Sequence, residues 1–216
     1  MSTFVALIRR DLLNEWRSGS WWLPVAFFML VATLYPFSVG PDATLLSATG
    51  AGVLWIAVLL ATLLPLERLF GPAHDSGVLD QLAVRGVADE SVAAAKIIAH
   101  SIAFGVPILL ATLPAAALLN LSAEVWQRLV VGLAIGIPGL ASLTVMIAAV
   151  MLGSRGASAL GGLLMLPLAV PVLIFGAGSI QPIGNSALLF LAASSLLLAV
   201  LAPFAAGAAL RATREG

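Results

Sequence analysis

The sequence contains no cysteine, only two histidines, and charged side chains at just 9% of its 216 positions. Without cysteine, disulfides, thiolate metal sites, c-type haem attachment and cysteine nucleophiles are excluded. Two histidines alone also disfavour a metal centre. Ten basic and ten acidic residues balance to zero, so no basic excess points to nucleic acid. The only lysine is Lys96, and it follows alanine, so the chain has no Gly-x-x-x-x-Gly-Lys-Ser/Thr loop for ATP.

Hydrophobic residues are correspondingly abundant, at 61% of the chain against roughly 45–50% in a soluble domain. They form charge-free blocks long enough to cross a bilayer, which takes about 20 residues. The longest block, 156–210, is divided by turn-forming residues between 178 and 186. The sequence therefore predicts an all-α polytopic membrane protein, a single domain over 1–216, with six transmembrane helices near 21–39, 44–66, 97–119, 129–152, 158–178 and 187–209.

The basic residues predict the direction of these spans. On this topology nine of the ten lie on one face, and only Arg128 lies on the other. The excess of Lys and Arg on cytoplasmic loops then places both termini in the cytoplasm. In the leader, 1–20, Phe4, Ile8, Leu12 and Trp16 recur at every fourth position, which predicts an amphipathic helix lying in the membrane interface.

One loop, 67–96, holds eight of the twenty charges. Within it, Asp75, Ser76 and Gly77 are suited to cap a short helix, and Gly86 is suited to end it. The apolar side of this helix would be formed by Val78, Leu79 and Leu82, with Asp80 and Gln81 facing away. So short a helix cannot bury an apolar face alone. We expect it to lie on lipid headgroups or to fit a groove on a partner protein.

Several segments resemble, in order and spacing, the CcmB family of cytochrome c maturation permeases, which are similar in architecture to the six-helix permeases of the second ABC exporter class. The segments that carry the resemblance are 34–41 (LYPFSVGP), 66–70 (LERLF), 77–82 (GVLDQL), 95–96 with 99–100 (AK, AH), 166–171 (LPLAVP) with 173–175 (LIF), and 203–205 (PFA). Asp80 stands where the family pattern usually has the longer Glu.

The resemblance implies a transport subunit of the bacterial inner membrane, not an enzyme. It makes residues 75–82 a coupling helix that fits a groove of an ATPase subunit (CcmA-like). Further implied partners are a haem-handling membrane subunit (CcmC-like), a small subunit (CcmD-like) and, indirectly, a periplasmic haem chaperone (CcmE-like). ATP and haem would be handled by these partners, with no cofactor bound by this chain. The work would be haem export or release of the haem-loaded chaperone; the alternative is a permease of the same class that exports a lipid or drug.

The remaining candidates are single residues. Glu67 and Arg68 either mark the membrane edge or pair across a dimer, and Lys96 and His100 are interpreted as interfacial or relay residues. Pro167 and Pro171, one turn apart, predict helix kinks. The glycines at 132 and 136 predict close helix packing, with a homodimer contact as the alternative. No carboxylate pair or Ser–His set falls within the spans, which disfavours an intramembrane enzyme and an ion-coupled carrier.

Overall fold

A computed structural model describes residues 3–19, 21–40, 42–153, 157–181 and 185–215. Within these ranges the regular secondary structure is entirely helical. The helices are α1 (Thr3–Arg17), α2 (Trp22–Val39), α3 (Ala43–Ala61), α4 (Leu66–Asp75), α5 (Val78–Val84), α6 (Asp89–Leu118), α7 (Ala123–Val150), α8 (Ala157–Gly178) and α9 (Asn185–Glu215).

Six helices are long and apolar enough to span a membrane, as predicted. The second span is not one continuous helix: α3 ends at Ala61 and a turn over 62–65 separates it from α4, so the candidate span there runs over Ala43–Asp75. The third lies within α6, which begins at Asp89, and the sixth continues to Glu215. At 1.5 Å per residue, α6 and α9 are each about 45 Å long and exceed a hydrocarbon core of about 30 Å. Both helices therefore carry charged residues beyond the apolar layer.

The centre of the bundle is α7, which packs against α6, α8 and α9. Trp55 of α3 is fully buried, and its indole ring lies against Gly132 and Gly136 of α7 and Gly176 of α8. A Cβ added at Gly136 or at Gly176 would lie 2.6 Å from this ring. The close packing predicted for 132 and 136 is present, but its partner is Trp55 of the same chain. The alternative of a homodimer contact at these glycines is therefore wrong.

The outer faces of the bundle are apolar. Leu163 of α8 and Phe204 of α9 are 70% and 62% exposed, which suits surfaces that contact lipid tails. Pro167 and Pro171 lie on the exposed face of α8, which is helical from Ala157 to Gly178. Their effect as kinks remains a prediction.

Most charged residues gather at one end of the bundle, called here the charged end. It comprises α1, the α4–α5 pair, the first turns of α6 and the last turns of α9. At the opposite end Arg128 pairs with Glu124 and donates a hydrogen bond to the carbonyl of Gln181. Arg155 and the 182–184 segment of the predicted turn lie outside the described residues.

Candidate coupling site at the charged end

The loop predicted over 67–96 is two short helices followed by the start of α6. The first of them, α4, was not predicted. It buries Leu66, Leu69 and Phe70 on one side, the spacing of a single helical face. This burial holds a helix together despite Pro72 in its interior.

The predicted cap of α5 is wrong. Gly77 is the N-cap, in the left-handed conformation with φ 70°, and no side chain caps the helix. Asp75 is the last residue of α4, before the turn. The Ser76 hydroxyl donates instead to the carbonyl of Pro72, 2.6 Å away. Both side chains therefore belong to the end of α4, and the turn depends on glycine because few other residues adopt a positive φ.

The two faces of α5 have different surroundings. Leu79 is 6% exposed and Val78 and Leu82 are half-buried, so the chain itself covers most of the apolar face. Asp80 and Gln81 are exposed, as predicted. Val84 is 89% exposed. The exposed surface of α5 is therefore polar, with one apolar side chain at Val84.

The end of α5 is joined to α6 by a short, hydrogen-bonded turn. The N–H of Gly86 donates to the carbonyl of Ala83 at 2.9 Å, and the N–H of Val87 donates to that of Leu82 at 3.0 Å. This is the Schellman pattern, with Gly86 at φ 74° as the left-handed residue. It confirms the predicted stop at Gly86. Only four residues, 85–88, then separate α5 from α6.

Two buried pairs join α1 to α6. The Lys96 ammonium lies 3.3 Å from Asp11 Oδ2, and His100 Nδ1 lies 2.9 Å from Glu15 Oε2. Asp11, Lys96 and His100 are only 2%, 6% and 2% exposed. Arg10 donates two hydrogen bonds to Asp11 Oδ1, at 2.8 and 3.0 Å. The structure thus gives both candidate residues of α6 an acidic partner on the leader helix.

The two sides of the leader helix α1 have different surroundings. Phe4 and Trp16 of its apolar stripe are 36% and 45% exposed, on a surface free to contact lipid. Leu7 and Asp11 face the bundle. Sequence reasoning found the first face and missed the second. The available signal was the four-residue spacing of Asp11 and Glu15, which matches that of Lys96 and His100.

A further ion-pair cluster joins α6 to α9. Asp89, 8% exposed, accepts two hydrogen bonds from the Arg214 guanidinium, one of 2.8 Å between Oδ1 and Nη1. Its neighbour Glu90 pairs with Arg211. The first turn of α6 is therefore held by the last turns of α9, next to the link from α5.

Glu67 and Arg68 are exposed in the first turn of α4, and neither forms an ion pair with another described residue. Arg68 contributes to a groove of about 730 Å³ between α1 and α4, called here the α1–α4 groove. The charged residues that line this groove are Arg10, Asp11, Glu15, Arg17, Arg68 and Lys96.

The whole sequence matches known proteins of one kind. The family model described as "CcmB protein" matches residues 2–213. The chain belongs to the CcmB family. It is 42% identical over 212 residues to heme exporter protein B of Paracoccus denitrificans, covering 95% of this chain and 97% of that protein. It is 39% identical to the Bradyrhizobium diazoefficiens protein of that name over 218 residues, covering 98% of each, and 36% identical to the Escherichia coli one over 193 residues, covering 87% and 88%.

Membership in this family gives the chain its place in a larger assembly. It is a permease component of a cytochrome c maturation ABC transporter, a multi-pass protein of the bacterial inner membrane and not the ATPase. The fold supplies the six spans that such a component needs.

Proposed function

We propose that this CcmB-family chain receives mechanical work from a separate ATPase subunit at α5 and passes it through α6 to the bundle. The observation that carries the proposal is the position of α5. Its inner face is buried in the chain, its outer face is exposed, and a Schellman turn joins it to α6. A push on α5 is therefore transmitted to α6, because no flexible linker absorbs it.

The proposal requires the charged end to face the cytoplasm, where ATP is available. Nine of the ten basic residues support this orientation through the positive-inside rule. In this orientation residues 1–216 form one permease domain with both termini in the cytoplasm. The ATPase (CcmA-like) binds α5 from outside the membrane, and the haem-handling (CcmC-like) and small (CcmD-like) subunits bind within it.

The direct test is a charge reversal on the outer face of α5. Asp80→Lys is expected to prevent co-purification of the ATPase subunit and to abolish cytochrome c assembly, while the chain still accumulates in the membrane. Glu67→Lys is the matched control, since both acids are exposed in the first turn of a short helix at the charged end. Equal loss in the two variants, or none in Asp80→Lys, would contradict docking at α5.

Val84 gives an independent probe of the same surface, because it is exposed and makes little contact with its own chain. Val84→Asp is expected to weaken ATPase binding, whereas Leu79→Asp would place a carboxylate in the interior and unfold the site. A defect in Leu79→Asp therefore says nothing about docking. A defect in Val84→Asp, with normal thermal stability, supports it.

The relatives are named heme exporter protein B, and two kinds of work fit this name. We propose that hydrolysis drives release of a haem-loaded periplasmic chaperone (CcmE-like). Haem ligands in proteins are mainly His, Cys, Met and Tyr. This chain has no cysteine, both its histidines belong to the charged end, and its one tyrosine is hydrogen-bonded to Thr49. Four of its methionines pack in or against the core: Met29, Met146, Met151 and Met165. Blocking ATP hydrolysis should then trap the chaperone with haem bound; a chaperone without haem would instead indicate translocation of haem.

A further inference from the structure

The α1–α4 groove combines two properties. It holds four basic side chains against two acidic ones, a net excess of two positive charges. It also borders the helix whose apolar stripe is exposed to lipid. The ring of Trp16 from that stripe stacks on Trp21 at a centroid distance of 5.5 Å. Tryptophan is typical of the headgroup level of a bilayer, so the groove opens at this depth.

The cations of the groove fall into two classes. Arg10 and Lys96 are engaged by Asp11, which leaves their charge largely neutralised. Arg17 and Arg68 are exposed, and neither forms an ion pair with any described residue. They come from different helices, α1 and α4, but line the same groove. Two unpaired guanidinium groups at one cavity are suited to bind a phosphate, since each offers a fork of donors.

The groove also has an apolar part. Leu69, Pro72 and Val78 line it beside the arginines. A soluble phosphate would gain nothing from these side chains, whereas the glycerol and first methylenes of a lipid would cover them. The volume, about 730 Å³, is within the range of pockets that bind small molecules.

We propose that the α1–α4 groove binds an anionic phospholipid, with Arg17 and Arg68 on its phosphate and the apolar wall of α4 and α5 under its glycerol end. Basic pockets beside membrane helices on the cytoplasmic side are known to hold such headgroups. The bound lipid would contact both α1 and the α4–α5 pair, and it would lie over the Asp11–Lys96 pair, which lines the groove.

The test is a lipid titration of the purified chain in detergent, with bound lipid counted by native mass spectrometry. Phosphatidylglycerol and phosphatidylcholine with the same acyl chains are compared. Phosphatidylglycerol should bind the wild-type chain more tightly. Arg17→Gln with Arg68→Gln should weaken it roughly thirty-fold, from about fivefold for each basic side chain near an anionic headgroup. Arg17→Lys with Arg68→Lys keeps the charge but removes the fork of donors, so its affinity should fall between those of the wild-type chain and the glutamine variant.

The matched control is Arg9→Gln with Arg85→Gln, which removes the same charge from exposed arginines at the charged end that do not line the groove. Equal weakening in this control would overturn the proposal, because the effect would be one of net charge. Equal affinity for the two lipids would also overturn it. The proposal would fail as well if inorganic phosphate displaced phosphatidylglycerol at a concentration similar to the dissociation constant of the lipid.

A second arm separates the lipid from a protein partner. If Arg17→Gln with Arg68→Gln loses the ATPase subunit but binds phosphatidylglycerol normally, the groove is a protein-docking surface and the proposal is wrong. The titration contains no ATPase, so the two proposals are tested independently. A negative lipid titration would not contradict coupling through α5, and a negative Asp80→Lys test would not contradict lipid binding.

Discussion

The buried pair of Asp11 and Lys96 predicts an asymmetric response to mutation. The two groups lie 3.3 Å apart, at side-chain exposures of 3% and 7%. Asp11 has a second cation in Arg10. Among the described residues, the further partner of Lys96 is the face of the Phe70 ring, 5.3 Å from its nitrogen. Removing the acid therefore leaves a buried charge poorly compensated, whereas removing the base does not.

Magnitudes follow from these partners. Asp11→Asn leaves the ammonium without an anion, and breaking a buried pair in this way costs about 3–5 kcal/mol. Lys96→Met removes one charged contact while Arg10 still binds the carboxylate, so we expect about 1–3 kcal/mol. In the double variant neither charge is stranded. Its cost should fall below the sum of the two by about 0.5–3 kcal/mol, the range found for groups in direct contact.

The absence of cysteine from the chain provides the assay. Leu7→Cys introduces a single thiol on the face of α1 that packs on the bundle, at a site 5% exposed. Its rate of maleimide labelling in membranes then reports how often α1 leaves α6. A loss of about 3 kcal/mol should speed labelling about 100-fold. Val5→Cys, at a position 47% exposed on the same helix, controls for reagent access and should label at one rate in all variants.

Three outcomes would refute this reasoning. Asp11→Asn and Lys96→Met could accelerate labelling equally, which would mean that Arg10 does not compensate the carboxylate. The two effects could be additive, which would mean that the pair does not interact. Labelling could also stay unchanged throughout, and α1 would then be held by its apolar face alone.

Further predictions concern the core, the α6–α9 cluster and the orientation. Gly176→Ala should lower the free energy of unfolding by about 1–3 kcal/mol, since its Cβ would meet the buried indole of α3; Gly52→Ala, with no atom within 4 Å, should be neutral or stabilising in denaturant titrations in detergent. Arg214→Lys should lower cytochrome c assembly although the positive charge is kept, because lysine lacks the two-pronged donor geometry of arginine. A single cysteine replacing Glu124 should react with an impermeant maleimide in intact spheroplasts, whereas one replacing Asp75 should react only after permeabilisation; the reverse pattern would contradict the orientation.

The six spans could be predicted from the sequence because hydropathy is a local property. Each apolar block must satisfy its own backbone in lipid, so it forms a helix whatever its neighbours are. Helix ends depend less on composition. Asp89 and Glu90 suit the start of α6, because negative charge is favoured at a helix N-terminus, but no local pattern shows that Arg214 and Arg211 pair with them.

Tertiary packing accounts for the other differences. Gly71 and Pro72 look like helix breakers, yet α4 forms because its apolar residues are buried. The glycines at 132 and 136 indicated a close contact but not which side chain fills it. Asp11 and Lys96 are separated by 85 residues, and no local pattern determines that such distant groups meet. The sequence could therefore identify Lys96 and His100 as candidates, but not their partners.

A buried ion pair is weak evidence for stability, but it can fix one arrangement of the helices that carry it. An amphipathic helix in the interface can slide or rotate at little cost, because lipid is uniform along its apolar face. The two pairs of α1 remove this freedom.

Asp11 and Glu15 are one turn apart, as are Lys96 and His100, and they meet in the same order along the two helices. A shift of one turn would bring Glu15 to Lys96, leave Asp11 with Arg10 as its one cation, and leave His100 without an acidic partner. The helix thus has one favoured register and a second register, one turn away, of higher free energy. A stepwise transition between packed helices requires two such discrete arrangements. Because α6 follows α5 along the chain and pairs with α9, the push on α5 that we propose would reach the residues that set this register.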